Sequence, residues 1–311
     1  MESYKWHKGI KLKIQTNRKN IINTINHNEA FSFVNEAEAL KQLCEKLHDS
    51  TWLAVDTEFE RVSTYYPELC LVQVSNGDTT AVIDPIAIQD ITPLLDLLYQ
   101  PSITKVLHSA HQDLEIFFNI KESVPMPLFD TQLAAPLLGY AQGIGYGNLV
   151  NEALNIELEK GHARADWKRR PLSEDMLRYA ADDVIYLGQV YEVFVEKLKA
   201  VEDQASLNEK LANLIKAETY KPDPNLMWKK MFAAKRMKGK QLDIIKKLAA
   251  WRELTARERN RPRKWILADH ALIEMAKQLP ENKAGLLKID KVGEKTVNRH
   301  GDDLLKLLHN E

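Results

Sequence analysis

The spacing of hydrophobic residues predicts that the first two thirds of the chain combine helices with strands. Leu40, Leu43 and Leu47 recur at the spacing of one helical face. A helix is therefore predicted to begin at Asn35, which is a possible N-cap.

Three apolar runs that follow have the composition of β-strands, and they cover residues 52–59, 69–74 and 80–83. Asn76 and Gly77, between the second and third runs, favour a tight hairpin turn. We therefore expect these neighbouring strands to be antiparallel or mostly so.

Helices alternate with a strand beyond Pro85. Helices are predicted near 91–98, through 114–118 and from 173 to about 198, with a short strand at 105–107. Strands first and alternating helices afterwards indicate an α/β or α+β domain with a mixed sheet.

The strand signals stop after residue 200, and the remaining pattern is helical. Helices are predicted near 241–259, 266–278, 284–289 and 302–308, with Gly239, Pro262, Pro280, Gly293 and Gly301 at their boundaries. The sequence thus predicts a basic N-terminal extension (1–28), an α/β domain (29–205), a helical linker (206–238) and a small all-helical C-terminal domain (239–311).

The composition fits a globular protein of two domains. The chain has 311 residues, of which 44% are hydrophobic and 28% charged, and no apolar run is long enough to predict a membrane span. Cys44 and Cys70 are too few for a disulfide framework or a four-thiolate zinc site, and the first residues lack the apolar core of a secretory signal. We therefore expect a reducing, cytoplasmic location and no contact with a membrane.

Charge is distributed unevenly, although the formal net charge is only −1. Residues 29–215 contain 14 basic and 30 acidic side chains, residues 216–265 contain 16 basic and 5 acidic ones, and residues 1–28 contain 6 and 1. This division is typical of a cation-binding body beside surfaces that hold a polyanion. Simple solvation of each surface explains the charges equally well, so charge alone leaves both interpretations open.

Two carboxylates lie at the end of the first predicted strand. Asp56 and Glu58 flank Thr57, so on a strand both acids point to one face and Thr57 to the other. Their mutual repulsion raises their pKa values unless a cation, most directly a divalent metal, offsets it. The motif is weak by itself, because the same spacing recurs at Asp113 and Glu115.

Asp113 follows the strand at 105–107 and begins a helix, where an acid often does no more than interact with the helix dipole. His108 and His111 lie nearby, but no third ligand has the spacing of a zinc site. We interpret both histidines as polar neighbours or substrate contacts.

Tyr179 and Asp183 are four residues apart on the last long helix of the α/β region, so the phenol and the carboxylate share a helical face. The alternative interpretation is a partly buried tyrosine beside a solvated acid. Asp182 is a competing acid, but the spacing favours Asp183.

Taken together, these motifs supply four carboxylates and one phenol in a fixed order along the chain. Hard oxygen ligands select Mg²⁺ or Mn²⁺ rather than zinc. Two such ions can activate a water molecule and stabilise a leaving oxygen in an in-line phosphoryl displacement.

These residues resemble the DEDD superfamily of 3′-to-5′ exonucleases, in its tyrosine-bearing branch, and within it the ribonuclease D family. The resemblance covers roughly residues 30–311. It depends on WLAVDTEFERVSTYYPELCLVQVS at 52–75, VIDP at 82–85, KVLHSAHQDLEIF at 105–117, FDTQLAA at 129–135, ADWKRRPL at 165–172 and RYAADDVIYL at 178–187. It implies a ribonuclease H-like mixed-sheet exonuclease domain followed by a single helical domain of the type shared by helicases and ribonuclease D.

The resemblance also implies a role for each site residue. Asp56 would bridge two divalent cations, Mg²⁺ or Mn²⁺, Glu58 and Asp183 would complete the site that holds the attacking water, and Asp113 would serve the second ion. Tyr179 would orient or deprotonate that water, and an ordinary phenol with a pKa near 10 favours orientation. Thr57 and His108 are predicted substrate contacts.

The implied activity is metal-dependent removal of nucleotides, as 5′-monophosphates, from single-stranded RNA 3′ ends, with tRNA precursors and other small RNAs as substrates. Two alternatives stay open: a 3′-to-5′ DNA exonuclease, because the same ions cleave either polymer, and an RNA-binding protein without activity on the same fold. The basic segment 229–264 contains Trp251 and is flanked by Trp228 and Trp265, and these three residues either stack on bases or pack in a helical core. No protein partner is inferred from the sequence.

Overall fold

A computed structural model describes residues 30–159, 161–162 and 165–309. The predicted basic extension, 1–28, lies outside these residues. Within them, six strands form one sheet: β1 Ser32–Val34, β2 Trp52–Glu60, β3 Glu68–Ser75, β4 Thr80–Ile83, β5 Thr104–Leu107 and β6 Leu128–Asp130.

Helices alternate with and then follow these strands. Those of the first region are α1 Ala37–Leu47, α2 Pro85–Ile88, α3 Thr92–Leu98, α4 His111–Lys121, α5 Thr131–Ala134, α6 Tyr146–Leu154 and α7 Glu174–Leu198. Those that follow are α8 Ala205–Leu214, α9 Ala217–Tyr220, α10 Gly239–Glu258, α11 Arg263–Ile266, α12 Asp269–Gln278, α13 Lys283–Leu286 and α14 Glu294–His309. Short 3-10 helices cover Ala135–Leu138, Pro224–Lys230 and Phe232–Arg236.

The sheet has the order β1-β4-β3-β2-β5-β6. The β2–β3 and β3–β4 pairs are antiparallel, whereas β1–β4, β2–β5 and β5–β6 are parallel, so the predicted mixed sheet is confirmed. The predicted hairpin turn is also present, and Gly77 adopts the positive φ of 92° that such a turn requires. The edge strands β1 and β6 were not predicted, because three residues are too few to show a period.

Helix α7 covers the face of the sheet on which Asp56 and Glu58 lie. Ala54 and Val106 of the sheet pack against Val184 and Leu187 of α7. The opposite face buries Leu53 and other residues against α1, α3 and α4. Helix and sheet are close, since a Cβ atom at Gly188 would lie 2.8 Å from Cη2 of Trp52. The predicted start of α7 is confirmed by Ser173, whose side chain accepts a hydrogen bond from the Met176 amide.

The C-terminal helices enclose a hydrophobic cluster of their own, which runs from Met227 to Leu308. The predicted linker, 206–238, is divided between the two regions: Tyr220 packs in the sheet domain, whereas Met227 and Met231 pack among the C-terminal helices. In the described part of the chain, no helix has both the length and the apolarity needed to cross a membrane.

Several helix boundaries differ from the prediction: the helix expected over 266–278 begins at Asp269, and the one expected over 284–289 ends at Leu286. Helix α1 begins at Ala37 after Glu36, without a side-chain cap, so Asn35 is not its N-cap. Helix α14 begins at Glu294, eight residues before the predicted helix, and contains Gly301. A Cβ atom at Gly301 would lie 3.2 Å from Cγ1 of Val297 and from Cε of Lys283, so this glycine permits close packing and does not end a helix.

Candidate active site

The structure brings Asp56, Glu58 and Asp183 together. Asp56 and Glu58 lie two residues apart on β2, so their side chains share the face that α7 covers. One carboxylate oxygen from each of the three residues lies within 4.8 Å of the others. All three side chains are half-buried, so the group is close-packed but still reaches solvent.

Helix α7 supplies Asp183 and Tyr179 from one face, as their spacing predicts. Both residues line the same cleft as Asp56 and Glu58. Asp182 instead forms an ion pair with Arg178 one turn earlier on the helix. The geometry therefore places Asp183, and not its neighbour Asp182, in the acidic group with Asp56 and Glu58.

Asp113 lies at the cleft but outside the close group of three acids. It is 8% exposed, in the first turn of α4, and it accepts a hydrogen bond from the Thr57 hydroxyl. Thr57 is itself buried, so its hydroxyl connects β2 to α4 beneath the cleft. This contact fixes where Asp113 lies, while a contact between Thr57 and substrate stays a prediction.

His108 is held by the protein through both ring nitrogens. Its Nδ1 lies 2.9 Å from the Thr131 hydroxyl and its Nε2 lies 3.1 Å from the Ile144 carbonyl oxygen. Burial lowers its pKa, against the opposing effect of Asp130, so the ring is neutral at neutral pH. His108 lines the cleft, and its role as a substrate contact stays a prediction.

Asp130 is a positioning residue that sequence reasoning missed. Its carboxylate is buried and accepts hydrogen bonds from the backbone amides of Ser109 and Ala110, at 3.3 and 2.9 Å, as well as from Gln132 and Leu133. The β5–α4 connection that carries His108 is thereby held beside β6. The Asp-Thr pair after an apolar dipeptide is an N-cap signal that could have indicated this.

Burial and mutual repulsion raise the pKa of every acid in the site. The pKa of Glu58 rises to about 9, through burial and then through Asp183 and Asp113. The pKa of Asp183 rises to about 8 and that of Asp113 to about 6, in both cases mainly through burial. The pKa of Asp56 also rises well above its usual range, through burial and the other three acids.

Tyr179 responds to the same surroundings. Burial, followed by the charges of Asp183, Glu58 and Asp56, raises the pKa of its phenol above the ordinary value. The hydroxyl therefore keeps its proton at neutral pH and can donate a hydrogen bond.

The cleft that these residues line has a volume of about 850 Å³. Clustered carboxylates with raised pKa values form a donor set that fits a hard divalent cation, because such an ion offsets the repulsion that burial intensifies. A six-stranded mixed sheet with acids on β2, α4 and α7 and a tyrosine one turn before the last acid defines the class of 3′-to-5′ exonucleases.

Comparisons with known proteins agree with this class. The chain matches a family model described as 3′-5′ exonuclease over residues 31–199 and one described as HRDC domain over 241–308. Ribonuclease D of Pseudomonas paraeruginosa is 42% identical over 276 residues, which cover 89% of this chain and 73% of that protein. The chain belongs to the ribonuclease D family, and it is a 3′-to-5′ exoribonuclease.

Solved structures give the same result. Escherichia coli RNase D, described as an exoribonuclease involved in structured RNA processing, matches with a TM-score of 0.82 and 34% identity, covering 90% of this chain and 75% of that one. Brucella melitensis NrnC, solved with bound Mg²⁺, matches with a TM-score of 0.51 and 27% identity over 62% of this chain and 92% of that one. The exonuclease fold depends on divalent metal, as the acidic group also indicates.

Proposed function

We propose that this exoribonuclease trims the 3′ ends of tRNA precursors and other small RNAs, releasing 5′-monophosphates with the help of two divalent cations. The observation that carries the proposal is the group formed by Asp56, Glu58 and Asp183 beside Tyr179 in an open cleft. The choice of a structured RNA is supported by the description of the Escherichia coli relative.

Four acids would hold the ions. Asp56 would bind both, Glu58 and Asp183 would bind the one beside the attacking water, and Asp113 would serve the one beside the leaving 3′-oxygen. When bound, two Mg²⁺ or Mn²⁺ ions supply Lewis-acid stabilisation of the attacking and leaving oxygens. The hydrogen bond from Thr57 holds Asp113 at the cleft but outside the close group of Asp56, Glu58 and Asp183, which supports a separate role for Asp113.

Tyr179 would orient the attacking water and not deprotonate it. A phenol whose pKa is raised by burial and by three neighbouring carboxylates is a poor base at neutral pH. Its protonated hydroxyl would donate a hydrogen bond to the water or to a phosphate oxygen, and thereby fix the direction of attack.

We further propose that the chain is divided into an exonuclease domain (29–205), a linker (206–238) and a C-terminal domain (239–311) that binds RNA. Exposed basic side chains support this role, as does the ring of Trp265, which is 61% exposed, while Phe232, 72% exposed, adds an aromatic ring on the adjoining linker. Trp228 and Trp251 pack against the C-terminal cluster, so only Trp265 of the three predicted tryptophans is available for stacking.

The proposal is tested with purified protein and matched 5′-labelled oligonucleotides of RNA and DNA, in Mg²⁺, in Mn²⁺ and in chelator. We expect stepwise shortening of the RNA from its 3′ end in either metal and none in chelator, with 5′-monophosphates as products. A tRNA precursor with a 3′ trailer should be trimmed to near its mature end. Preferential degradation of DNA, or cleavage within the chain, would overturn the proposal.

A further inference from the structure

A loop at the edge of the active site is bound by the C-terminal helices. This loop, residues 61–66, continues directly from β2, which carries Asp56 and Glu58. Arg61 and Val62 line the catalytic cleft. The position of the loop therefore sets the shape of one wall of the site.

Asn260, two residues after the end of α10, binds the backbone of this loop. Its side-chain oxygen accepts hydrogen bonds from the backbone amides of Tyr65 and Tyr66, both at 3.0 Å. Arg261 donates a further hydrogen bond to the Ser63 carbonyl oxygen at 3.1 Å. Asn260 has a φ of 46°, in the left-handed region that asparagine tolerates better than most residues.

Tyr65 is also fixed by a buried ionic network. Its hydroxyl donates to Glu253, whose side chain is fully buried and also accepts hydrogen bonds from Arg257 and Arg263. Its ring packs with Ala256 and Ile266, so both the ring and the hydroxyl are held by the C-terminal helices. A fully satisfied buried network of this kind specifies one arrangement of the groups that it joins.

Arg61 links the loop to helix α4, which carries Asp113. Its Nε donates to the Tyr65 carbonyl oxygen at 2.8 Å, and one terminal nitrogen donates to Glu115 at 2.9 Å. Glu115 lies on α4 two residues after Asp113. A continuous set of hydrogen bonds thus runs from the C-terminal helices through the loop to the helix that holds Asp113.

We propose that the C-terminal domain positions the 61–66 loop for catalysis through Asn260 and Glu253, independently of any contact that it makes with RNA. Asn260 and Tyr65 are then positioning residues of the exonuclease site. The domain contributes to turnover even of a substrate that is too short to reach it.

The test uses the full chain and two substrates, a 5′-labelled ribotrinucleotide and a longer RNA, with kcat and KM measured for each. Asn260→Gly deletes the acceptor while tolerating the positive φ, and Asn260→Asp keeps the acceptor as a matched control. Tyr65→Phe removes only the hydroxyl and leaves Glu253 with its two arginines.

We expect Asn260→Gly to lower kcat about tenfold or more on both substrates with little change in KM for the trinucleotide, since small misplacements of reacting groups can cost about a hundredfold. Asn260→Asp should restore kcat to within about threefold of wild type, and Tyr65→Phe should reduce it on both substrates. Wild-type kcat on the trinucleotide in both Asn260→Gly and Tyr65→Phe would overturn the proposal, as would a loss confined to KM for the longer RNA. Should Asn260→Gly fail to fold, Tyr65→Phe decides alone. A wild-type protein that cleaves neither RNA would contradict the exonuclease activity itself.

A second observation concerns Gln73, which lies directly opposite Asp56 in the β2–β3 pair. Opposed residues of antiparallel strands point to the same face, with Cβ atoms about 5 Å apart. Gln73 is completely buried, and among the described residues neither its amide nitrogen nor its amide oxygen has a hydrogen-bond partner. Unpaired buried amides are costly and are rare away from functional sites.

We infer that Gln73 is a positioning residue that donates a hydrogen bond to Asp56 when that carboxylate holds a divalent cation. Gln73→Met, which keeps the shape but removes the polar atoms, should weaken Mn²⁺ binding by about tenfold or more, because groups behind metal ligands typically contribute that much. Calorimetric titration with Mn²⁺ alone measures this. The melting temperature without metal should be unchanged or higher, because an unpaired amide is removed. Unchanged Mn²⁺ affinity, or a lower melting temperature together with weaker binding, would reject the inference.

Discussion

Two glutamates, Glu58 half-buried in the exonuclease domain and Glu253 fully buried in the C-terminal helices, have opposite pKa shifts. Glu58 lies in the catalytic cleft, where burial and then Asp183 and Asp113 raise its pKa to about 9. Glu253 lies in the C-terminal helices, where burial would raise its pKa, but hydrogen bonds from Arg263 and Tyr65 and the charge of Arg263 lower it below the usual value. The same side chain is therefore destabilised as an anion in one region and stabilised in the other.

The difference separates a binding site from a structural contact. Glu253 has its cations within the fold, in Arg257 and Arg263, and needs no further charge. The carboxylates around Glu58 have mainly one another as charged neighbours. Binding of a cation is therefore favoured, because it relieves their mutual repulsion. The comparison predicts that losing a carboxylate abolishes activity in one region and lowers the stability of the fold in the other.

The largest expected effect is that of Asp56→Asn. This change should lower turnover by about a thousandfold or more while leaving RNA affinity nearly intact, because the carboxylate contacts the ions and makes little direct contact with RNA. Single-turnover hydrolysis and equilibrium binding to labelled RNA measure the two quantities. Turnover within about tenfold of wild type would show that Asp56 is not an ion ligand.

Neighbouring acids on α7 offer a matched pair. Asp183→Ala should be inactive, because Asp183 belongs to the group of three acids, whereas Asp182→Ala should stay largely active, because Asp182 pairs with Arg178. Hydrolysis rates and Mn²⁺ binding of both variants are compared with wild type. The reverse result would make Asp182 the ion ligand, and the ligand would then no longer lie four residues after Tyr179.

Replacing each of the two glutamates by glutamine tests the comparison directly. Glu253→Gln should lower the free energy of unfolding by about 3 kcal/mol, because it removes the buried anion that pairs with two half-buried arginines. Glu58→Gln should leave the metal-free protein unchanged or more stable, and it should weaken Mn²⁺ binding. Denaturant unfolding with and without Mn²⁺ measures both. Similar destabilisation by the two changes would contradict the contrast.

The amount by which Mg²⁺ stabilises the protein should depend on pH. The folded protein keeps a proton on Glu58 up to about pH 9, whereas the unfolded chain releases it near pH 4.5, so this residue makes the metal-free fold less stable as pH rises through that window. Mg²⁺ binding displaces the proton and should therefore stabilise the protein more at pH 8.5 than at pH 6. Melting temperatures with and without Mg²⁺ check this. An increment that is constant with pH would show that Glu58 and Asp183 are already ionised in the free protein.

The smallest effect concerns the basic surface of the C-terminal region. Replacing the exposed residues Lys240, Arg259 and Lys264 by Gln should reduce the slope of log affinity against log salt by about 2 for a tRNA-sized RNA, because each phosphate contact contributes about 0.7 to 0.9. Replacing Lys41, Lys46 and Lys199, which are exposed on the exonuclease domain, is the control with the same change in charge. Equal slopes for the two triple variants would show that the C-terminal basic surface does not contact the RNA backbone.

Features that lie within one secondary-structure element could be predicted from the sequence. The spacing of Asp56 and Glu58 places both on one face of a strand, and that of Tyr179 and Asp183 places both on one face of a helix, as the structure shows. The hairpin turn at Gly77 was likewise readable, because its requirement for a positive φ is local. Periods of two and 3.6 residues fix the direction of side chains without knowledge of the rest of the chain.

Features that join distant segments depended on the tertiary structure. The charge count assigned Arg252, Arg257 and Arg263 to a basic surface, yet Arg252 is buried and the other two pair with Glu253. Tyr65 meets Glu253 across 188 residues of sequence, and no periodicity in either segment indicates that they meet.

The sequence by itself indicated the mixed sheet, the long helix α7 and the five residues that we propose for the site. Only the tertiary structure decided that Asp113 is held by Thr57, that Gln73 faces Asp56 without a partner, and that the C-terminal helices bind the 61–66 loop. The reason is physical. Local spacing fixes the face on which a side chain lies, but the partner that it meets there is chosen by the packing of whole elements, which depends on all of their hydrophobic contacts at once.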